Sequence, residues 1–561
     1  MQFIIKNTLY LLIFLLPLGA ISQSTYLPQG SKHAQFLERL EIKLGHNPNL
    51  NVNVAKPFSR RLVVNEAEVA DSAGQIPLSE ADHYDLQSLL MNNSEWVTGD
   101  KSSFASRKSL WNTIYKTKAN FFEVDEKDFF LAINPVLQLQ QSYEKDNDER
   151  IFLNSRGVTI RGLIAKRVGF YTSVVENLER APDFVQFRVD SQRAVPGAGR
   201  YNIYKNTGWD YSDARGGITF NAAKYFDFQF AYDKNFIGSG YRSLFLSDFG
   251  NNYLFLKINT RIWKLNYQNI FMEINPQFPS GVRSNDELLD KKYAAIHHLS
   301  VNATKWLNLG LFEAVIFNRE NHFDFTYLNP IIFLRTAEKQ NNSPDNGFVG
   351  FDFKANIKKR AQVYGQLLFD ELIIKELRSG KGWWGNKFGV QLGAKVIDVF
   401  GIQNLDIQAE ANLVRPFTYS HQDTADNYTH YNQPLAHPLG ANFVEGIGII
   451  RYQPIPKLNI TAKLILWKQG VDTGQRNFGG DIFKSYATRD GDYGYDLPSG
   501  PLSTGVNAQL HASYELKQNL FIDASMFMRR WKVNGDVYPK INTNVATLVL
   551  RVNMFRREYD Y

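Results

Sequence analysis

Residues 458–467 read LNITAKLILW, and no other stretch restricts the fold of this chain so strongly. Leu458, Ile460, Ala462, Leu464 and Leu466 share one face of an extended strand, and Asn459, Thr461 and Lys463 share the other. The pattern recurs. Asp406, Gln408, Glu410 and Asn412 alternate with Leu405, Ile407, Ala409, Ala411 and Leu413. Gln362, Tyr364, Gln366 and Asp370 alternate with Val363, Gly365, Leu367 and Phe369, and Asp523, Ser525 and Arg529 with Ile522, Ala524, Met526 and Met528. Many strands with one apolar face and one face carrying charges of both signs imply a sheet between lipid and a wet lumen. The fold class expected is an all-β transmembrane protein, an antiparallel outer-membrane barrel.

The N-terminus agrees with export. Lys6 supplies a positive start, residues 11–16 an uncharged apolar run, and Ala20-Ile21-Ser22 a small-x-small site before Gln23, so residues 1–22 read as a signal peptide. Cysteine is absent, which excludes a lipoprotein anchor, disulfides and thiolate metal sites. No later segment has eighteen consecutive apolar residues, which excludes a helical membrane protein. Mean hydropathy is −0.33, as half-wet strands allow. Phe (41) and Tyr (28) are abundant, as interfacial girdles need. The net charge of +7 comes without a basic tract, so no nucleic-acid partner is expected.

Residues 23–95 form a helical module, expected in the periplasm. Phe36, Leu37, Leu40 and Leu44 recur at helical spacing before Gly45. Leu62, Val63, Ala67, Val69 and Ala70 predict a second helix ending near Gly74. Ser79-Glu80-Ala81-Asp82 resembles a capping box ahead of Leu86, Leu89 and Leu90. Residues 96–125 read as a polar connector and residues 126–561 as the barrel. Short connectors near 165–167, 224–226, 304–305, 358–360, 453–457 and 517–519 alternate with long ones near 179–211, 275–290, 320–346, 416–440 and 469–500, giving about eighteen strands. In the final strand Ala546, Leu548, Leu550, Val552 and Met554 alternate, yet Tyr559 and Tyr561 fall on the opposite phase, so a bulge or switch is expected near Phe555.

The segment Gly238-Ser239-Gly240-Tyr241-Arg242-Ser243-Leu244-Phe245-Leu246-Ser247-Asp248 resembles one in the Wzi capsule-assembly family, closest to the Bacteroidota branch that includes the gliding-motility protein RemB. Tyr327-Leu328-Asn329-Pro330, residues 382–388 (GWWGNKF) and residues 431–440 (YNQPLAHPLG) are similar to the same branch. The resemblance spans nearly the whole mature chain. It implies an eighteen-stranded outer-membrane barrel with a periplasmic helical bundle that holds capsular polysaccharide, and, in the gliding relatives, surface adhesion and colony spreading.

Loop 416–440 is the richest candidate site, with Tyr419, His421, Asp423, Asp426, Tyr428, His430, Tyr431 and His437. Aromatic rings stack on sugar faces, and Asp and His grip hydroxyls. Three histidines and two aspartates could instead hold a metal, though their spacing matches no ligand motif. The plain alternative is a packed loop whose path Pro434 and Pro438 set. Trp383 and Trp384 are either sugar-stacking groups or rim aromatics at the headgroup level. Asp490, Asp492 and Asp496 form an oxygen-rich cluster that could bind Ca²⁺, without EF-hand spacing. The lumenal charges Asp406, Glu410, Lys463, Asp523 and Arg161 either line a pathway or pair to fill a closed lumen.

His297 and His298 are adjacent, so only one can face inward, and His511 lies on an inward face with Asn507, Gln509 and Ser513. Neither a G-x-S-x-G elbow nor an HExxH motif occurs, so no enzyme and no cofactor are expected. The leading expectation is a barrel that binds surface polysaccharide in adhesion or gliding. Its partners would be outer-membrane lipid, surface polysaccharide and motility or secretion proteins. A diffusion channel for ions or saccharides, or a structural part of a secretion or motility complex, is the alternative.

Overall fold

The computed structural model describes residues 25–72, 76–107, 109, 113–278, 288–331, 333–474, 476–535 and 538–561. The leader expected over residues 1–22 and the helix end expected near Gly74 lie outside the described residues. The two-residue alternation is realised as eighteen long strands among the described residues. They are β1 (Phe129–Glu144), β2 (Ile151–Ile164), β3 (Val168–Arg180), β4 (Gly208–Ala222), β5 (Phe226–Asp233), β6 (Tyr253–Ile262), β7 (Leu265–Ile274), β8 (Lys292–Asn302) and β9 (Leu307–Phe317). Then follow β10 (Asn346–Ile357), β11 (Ala361–Glu371), β12 (Lys387–Val396), β13 (Leu405–Val414), β14 (Phe443–Ile455), β15 (Leu458–Gly470), β16 (Leu502–Lys517), β17 (Leu520–Val533) and β18 (Ile541–Val552). Each pairs antiparallel with its neighbours, and β18 returns to β1 from Leu137↔Val552 to Glu144↔Val545. Closure leaves no strand edge exposed.

The rest of the β1 edge is completed by the short strand Phe122–Asp125, paired from Phe122↔Ile133 to Asp125↔Phe130. Tight turns stand at one end. Ala165-Lys166, Ala223-Lys224 and Lys358-Lys359 have both residues at positive φ, the turn geometry that matches strand twist.

The barrel wall inverts the polarity of a soluble protein. Ala409, Leu464, Leu466, Ile522 and Leu548 face outward and are exposed. Asp406, Glu410, Lys463 and Asp523 are buried inside. No helix among the described residues is long and apolar enough to cross a membrane. An arginine in place of Leu464 should therefore cost about 2–4 kcal/mol in a bilayer, and one in place of Asn459, which lines an inner cavity, should cost less. Urea titrations of folding into vesicles check this, and equal costs on both faces would mean that the wall does not meet lipid.

Among the described residues four α-helices precede the barrel: α1 (Ala34–Leu44), α2 (Pro48–Asn51), α3 (Arg60–Ser72) and α4 (Glu80–Met91). The capping box on α4 forms as expected, with Ser79 Oγ accepting from Asp82 N–H and the Asp82 carboxylate accepting from Ser79 N–H. Phe36, Leu40, Val63, Ala67, Leu86 and Leu89 pack into one core, which also takes in Phe130, Ala132 and Leu163 of the barrel. The helices therefore fill the short-turn mouth. Charges on their barrel side meet lumenal charges: Glu41 with Lys354 (2.7 Å), Glu38 with Lys395 (3.0 Å), and Arg39 with Asp398 (3.0 Å) and Asp406. The segment 96–125, expected as a polar connector, buries Trp96, Phe104 and Ala119 in the same core.

The phase switch expected near Phe555 occurs two residues earlier. Strand β18 stops at Val552, and Asn553 takes a left-handed φ of 50° while its side chain donates to Pro135 O (2.8 Å). Residues 554–561 then turn into the lumen. Arg557 donates to the Tyr211 hydroxyl, and Tyr559 O–H donates to Glu179 (2.6 Å). Tyr559 and Tyr561 thus leave the strand phase because they are no longer in the wall.

Candidate functional site

At the long-loop end, the connection 234–252 between β5 and β6 dips into the barrel and carries the Gly238–Asp248 motif with it. Glu410 on the wall holds it. The carboxylate accepts the Tyr241 N–H (2.6 Å), the Arg242 N–H (3.0 Å) and the Tyr364 hydroxyl (2.8 Å). Gly240 allows this approach, because a Cβ there would stand 2.6 Å from Glu410. Gly238 has φ of 148° and faces Gln366, whose amide donates to Ile237 O (3.0 Å). Arg242 also meets Asp560 of the lumenal tail (3.1 Å), and Lys463 meets the same carboxylate (2.6 Å). Ser243 Oγ donates to Ile237 O (2.5 Å), and Ser247 Oγ to Ala436 O (2.5 Å). Asp248 is half-buried and acts electrostatically on Arg215 and Lys234. The motif is thus an internal plug.

Loop 416–440 folds down over that plug. Tyr419 and Tyr428 are fully buried, and their hydroxyls donate to Leu244 O and Phe245 O, each at 2.7 Å. His430 is buried with Nδ1 accepting from Asn275 N–H (3.0 Å) and Nε2 on Asn252 O (2.9 Å). His437 is buried against Glu445 (2.8 Å). These four residues, expected at a glycan surface, are core. Tyr419 and Tyr428 pack on Phe348, His430 meets Tyr253 and Tyr431 edge-on, and His437 stacks on Phe443 at 4.3 Å. Tyr431 is half-buried, edge-on to Phe278 at 5.6 Å. The histidines point to separate partners, so the metal reading fails here as well.

Burial pulls the His430 pKa down to about 3, and burial with Asp423 pushes Asp426 up to about 7. A raised carboxyl pKa means that the folded loop holds the proton more tightly than the unfolded chain. The favourable contribution is full below the unfolded pKa of about 3.9 and is lost as pH rises through 7. Asp426→Asn should therefore protect loop 416–440 from protease at pH 8, with the advantage shrinking towards pH 5. A gain of equal size at both pH values would refute the assignment.

What remains exposed is an aromatic rim shared by residues 372–386, 416–423 and 481–496. Trp384 lies 4.9 Å from Tyr486 with the rings tilted by 36°, Trp383 lies 6.0 Å from Trp384, and His421 meets Tyr486 edge-on at 5.8 Å. The Arg489 guanidinium sits over the Trp384 ring, 3.8 Å from its centroid. All five are half-exposed. Backbone bonds fix the two longer loops together: Trp384 N–H to Asp492 O (3.0 Å) and Tyr495 N–H to Gly382 O (2.9 Å). Gly382, at φ of 65°, permits that contact, since a Cβ would lie 2.8 Å from Tyr495 N. Tyr486 and Arg489 were missed by sequence reasoning, although aromatics in a long loop of the same class were the available signal.

The calcium candidate does not assemble. Asp490 pairs with Arg476 and Asp492 with Arg489 (2.7 Å), while Asp496 turns towards Gly382. Among the described residues no three His, Cys, Asp or Glu side chains converge as a metal site. The lumenal charges are paired: Asp523 with Arg551 (2.5 Å), Arg161 with Glu95 (3.1 Å), and Lys463 with Glu558 and Asp560. Asp406 likewise meets Arg39, while Glu410 is held by hydrogen-bond donors alone. His298 faces inward onto Asp352 (2.7 Å). His511 receives Arg556 on Nδ1, while Ser513 Oγ donates instead to Asp523 (2.6 Å), so no Ser–His pair forms.

The solved structure of Wzi, an outer membrane protein involved in group 1 capsule assembly in Escherichia coli and a carbohydrate-binding β-barrel, shares this fold. The TM-score is 0.53 at 13% identity, over 96% of this chain and 99% of that one. OprD of Pseudomonas aeruginosa matches with a TM-score of 0.40 at 11% identity, over 75% and 94% of the two chains. OccAB4 of Acinetobacter baumannii matches with 0.42 at 8% identity, over 76% and 98%. No protein-family model and no curated protein matches the sequence. The fold is that of an outer-membrane β-barrel with N-terminal helices.

Proposed function

We propose that this protein sits in the outer membrane with its helices towards the periplasm, and binds a surface polysaccharide at the long-loop rim without altering it chemically. One observation carries the reading. The Trp384–Tyr486 pair, flanked by Trp383, His421 and Arg489, stays half-exposed on the rim of a barrel whose lumen is filled from both ends. Rings offer flat apolar faces to pyranose C–H groups, and the guanidinium and imidazole offer donors to hydroxyls or acidic sugars. The solved Wzi structure is of a carbohydrate-binding barrel, which supports the same class of ligand. Anchoring of capsule or exopolysaccharide, in the service of adhesion or gliding, is the finer role proposed.

A single short saccharide should bind weakly, and repeats along a polymer should raise the affinity through effective concentration. Trp384→Ala with Tyr486→Ala should cut retention of surface polysaccharide at least about tenfold, equivalent to about 1.4 kcal/mol. Gel mobility before and after heating checks that the barrel is folded. A folded double variant that retains polymer as well as the parent would move the site elsewhere.

The channel reading keeps one supporting observation. A cavity of about 560 Å³, lined by Arg60, Asp85, Arg451, His511 and Glu558 as well as apolar side chains, lies between the helices and the lumenal tail. Conduction through it would need both plugs to move. Planar-bilayer recordings of the intact protein decide: steady ion conductance would favour the channel.

A further inference from the structure

The connection 318–345, between β9 and β10, folds back over the outside of the barrel. On β7–β9, Ile270, Met272, Ala294, Ile296, Ala314 and Ile316 pack inward in the lumenal core. The opposite phase, Phe271, Tyr293, Ala295, Val315 and Phe317, faces outward and yet is buried, because Tyr327, Leu334 and Ala337 of this connection cover it. Further along the same outward face of β9, Leu309 and Leu311 are bare.

The covered wall carries an unusual row. Asn269, His297 and Glu313 are directly opposite one another on three adjacent strands, all in the outward phase. His297 Nδ1 lies 3.9 Å from Glu313. Facing hydrocarbon, such a row would lose its hydrogen-bonding solvent, which is expensive. The flap covers the row and supplies a partner to Glu313. Arg335 N–H donates to Glu313 (3.1 Å), and Tyr267 O–H donates to Pro330 O (2.6 Å). One charge pair is turned in: Arg319 forks onto Asp345 (2.7 and 2.8 Å), which accepts the Tyr327 hydroxyl (2.5 Å). The outer side divides in two: Arg335 and Lys339 of the helix Leu334–Asn341 are exposed, whereas the tip before that helix is apolar, with Phe325, Ile331 and Phe333 at 79%, 83% and 74% exposure.

From this apolar tip we infer that the flap 318–345 dips into the membrane at its tip, with Phe325, Ile331 and Phe333 seated among the acyl chains of the leaflet at the long-loop end. A tip standing in water would not leave three large apolar side chains this close together so fully exposed. The occupant is lipid because the apolar surface continues the bare outward positions Leu309, Leu311 and Phe351 of the same wall. The flap shields the polar row and widens the lipid contact on one side of the barrel.

The absence of cysteine allows a clean test. Ile331→Cys and Phe325→Cys are each labelled with a nitroxide in the full chain, folded into dioleoylphosphatidylcholine vesicles. Leu311→Cys serves as the lipid-facing reference and Tyr493→Cys as the loop reference. Collision with dissolved oxygen and with a water-soluble nickel chelate is read by power saturation. Both flap labels should match the Leu311 reference, with an oxygen-to-nickel ratio severalfold above that of the Tyr493 label. Nickel access like that of Tyr493 would place the flap in water, and protection from both reagents would place it against a second copy or another protein. Either result overturns the inference.

Discussion

Glu410→Ala should release the inward motif loop and cost about 3–5 kcal/mol, because several buried donors lose a shared acceptor at about 1–3 kcal/mol each. Glu410 is buried, and five donors converge on its carboxylate: the Tyr241 and Arg242 N–H groups of the loop, the Tyr364 hydroxyl, and the Asn412 and Gln391 side-chain amides. Alanine takes the acceptor from two backbone N–H groups and from the Tyr364 O–H inside the lumen, where each lost partner costs about 1–3 kcal/mol. The barrel ladder does not depend on Glu410, so the wall should survive while residues 234–252 loosen. Protease added on the long-loop side should then cut near Arg242, which the parent hides, and small-ion conductance should rise. Glu410→Gln keeps one acceptor oxygen and should fall between parent and alanine. An alanine variant as sealed and as heat-stable as the parent would mean that the loop is held by its apolar contacts, Phe245 on Phe312 above all.

The wall of the barrel was legible because its signal is local. Leu464 and Lys463 differ in environment through strand pleat alone, and the expected faces are the observed ones. Two-residue positive-φ turns such as Lys358-Lys359 sit where the alternation breaks. The inward loops were not legible by the same means. Tyr419, Tyr428 and His430 follow no period, and their burial depends on the motif loop, which lies far away in the sequence. One trace was present and unread: residues 427–442 contain no charge, which suits a lumenal plug better than a solvated loop. The lumenal charges show the converse. Arg161 and Asp523 could be assigned to the inner face by phase, but their partners Glu95 and Arg551 are set by tertiary contact. At the rim, Trp383 and Trp384 were singled out, whereas Tyr486 and Arg489 join them only because two loops are stitched together through Gly382. His297 and Glu313 break the apolar phase of an outward face, and a broken phase in a barrel strand is itself a mark of cover.

Removing residues 554–561 should open the lumen while leaving the barrel wall closed. The ladder that seals β18 to β1 ends at Val552, before the removed segment. What is lost lies inside. Lys463 and Arg242 lose Asp560, Tyr211 loses the Arg557 guanidinium, and Glu179 loses the Tyr559 hydroxyl. Two buried cations deprived of a shared carboxylate cost more than the tail's own ordering entropy returns, so the neighbouring structure must shift to let in water. Arg188 sits 4.1 Å over the Tyr561 ring and donates to Pro438 O (2.8 Å), so the tail braces two long loops from below. The truncated protein should still run as a folded barrel before heating, bind the outer-face polymer with little change, and pass small ions in a planar bilayer. Asp560→Asn keeps the shape and removes the charge, so it should weaken the plug without emptying it and give intermediate conductance. A truncated barrel that stays as tight as the parent would show that the helices and the motif loop seal the lumen without the tail.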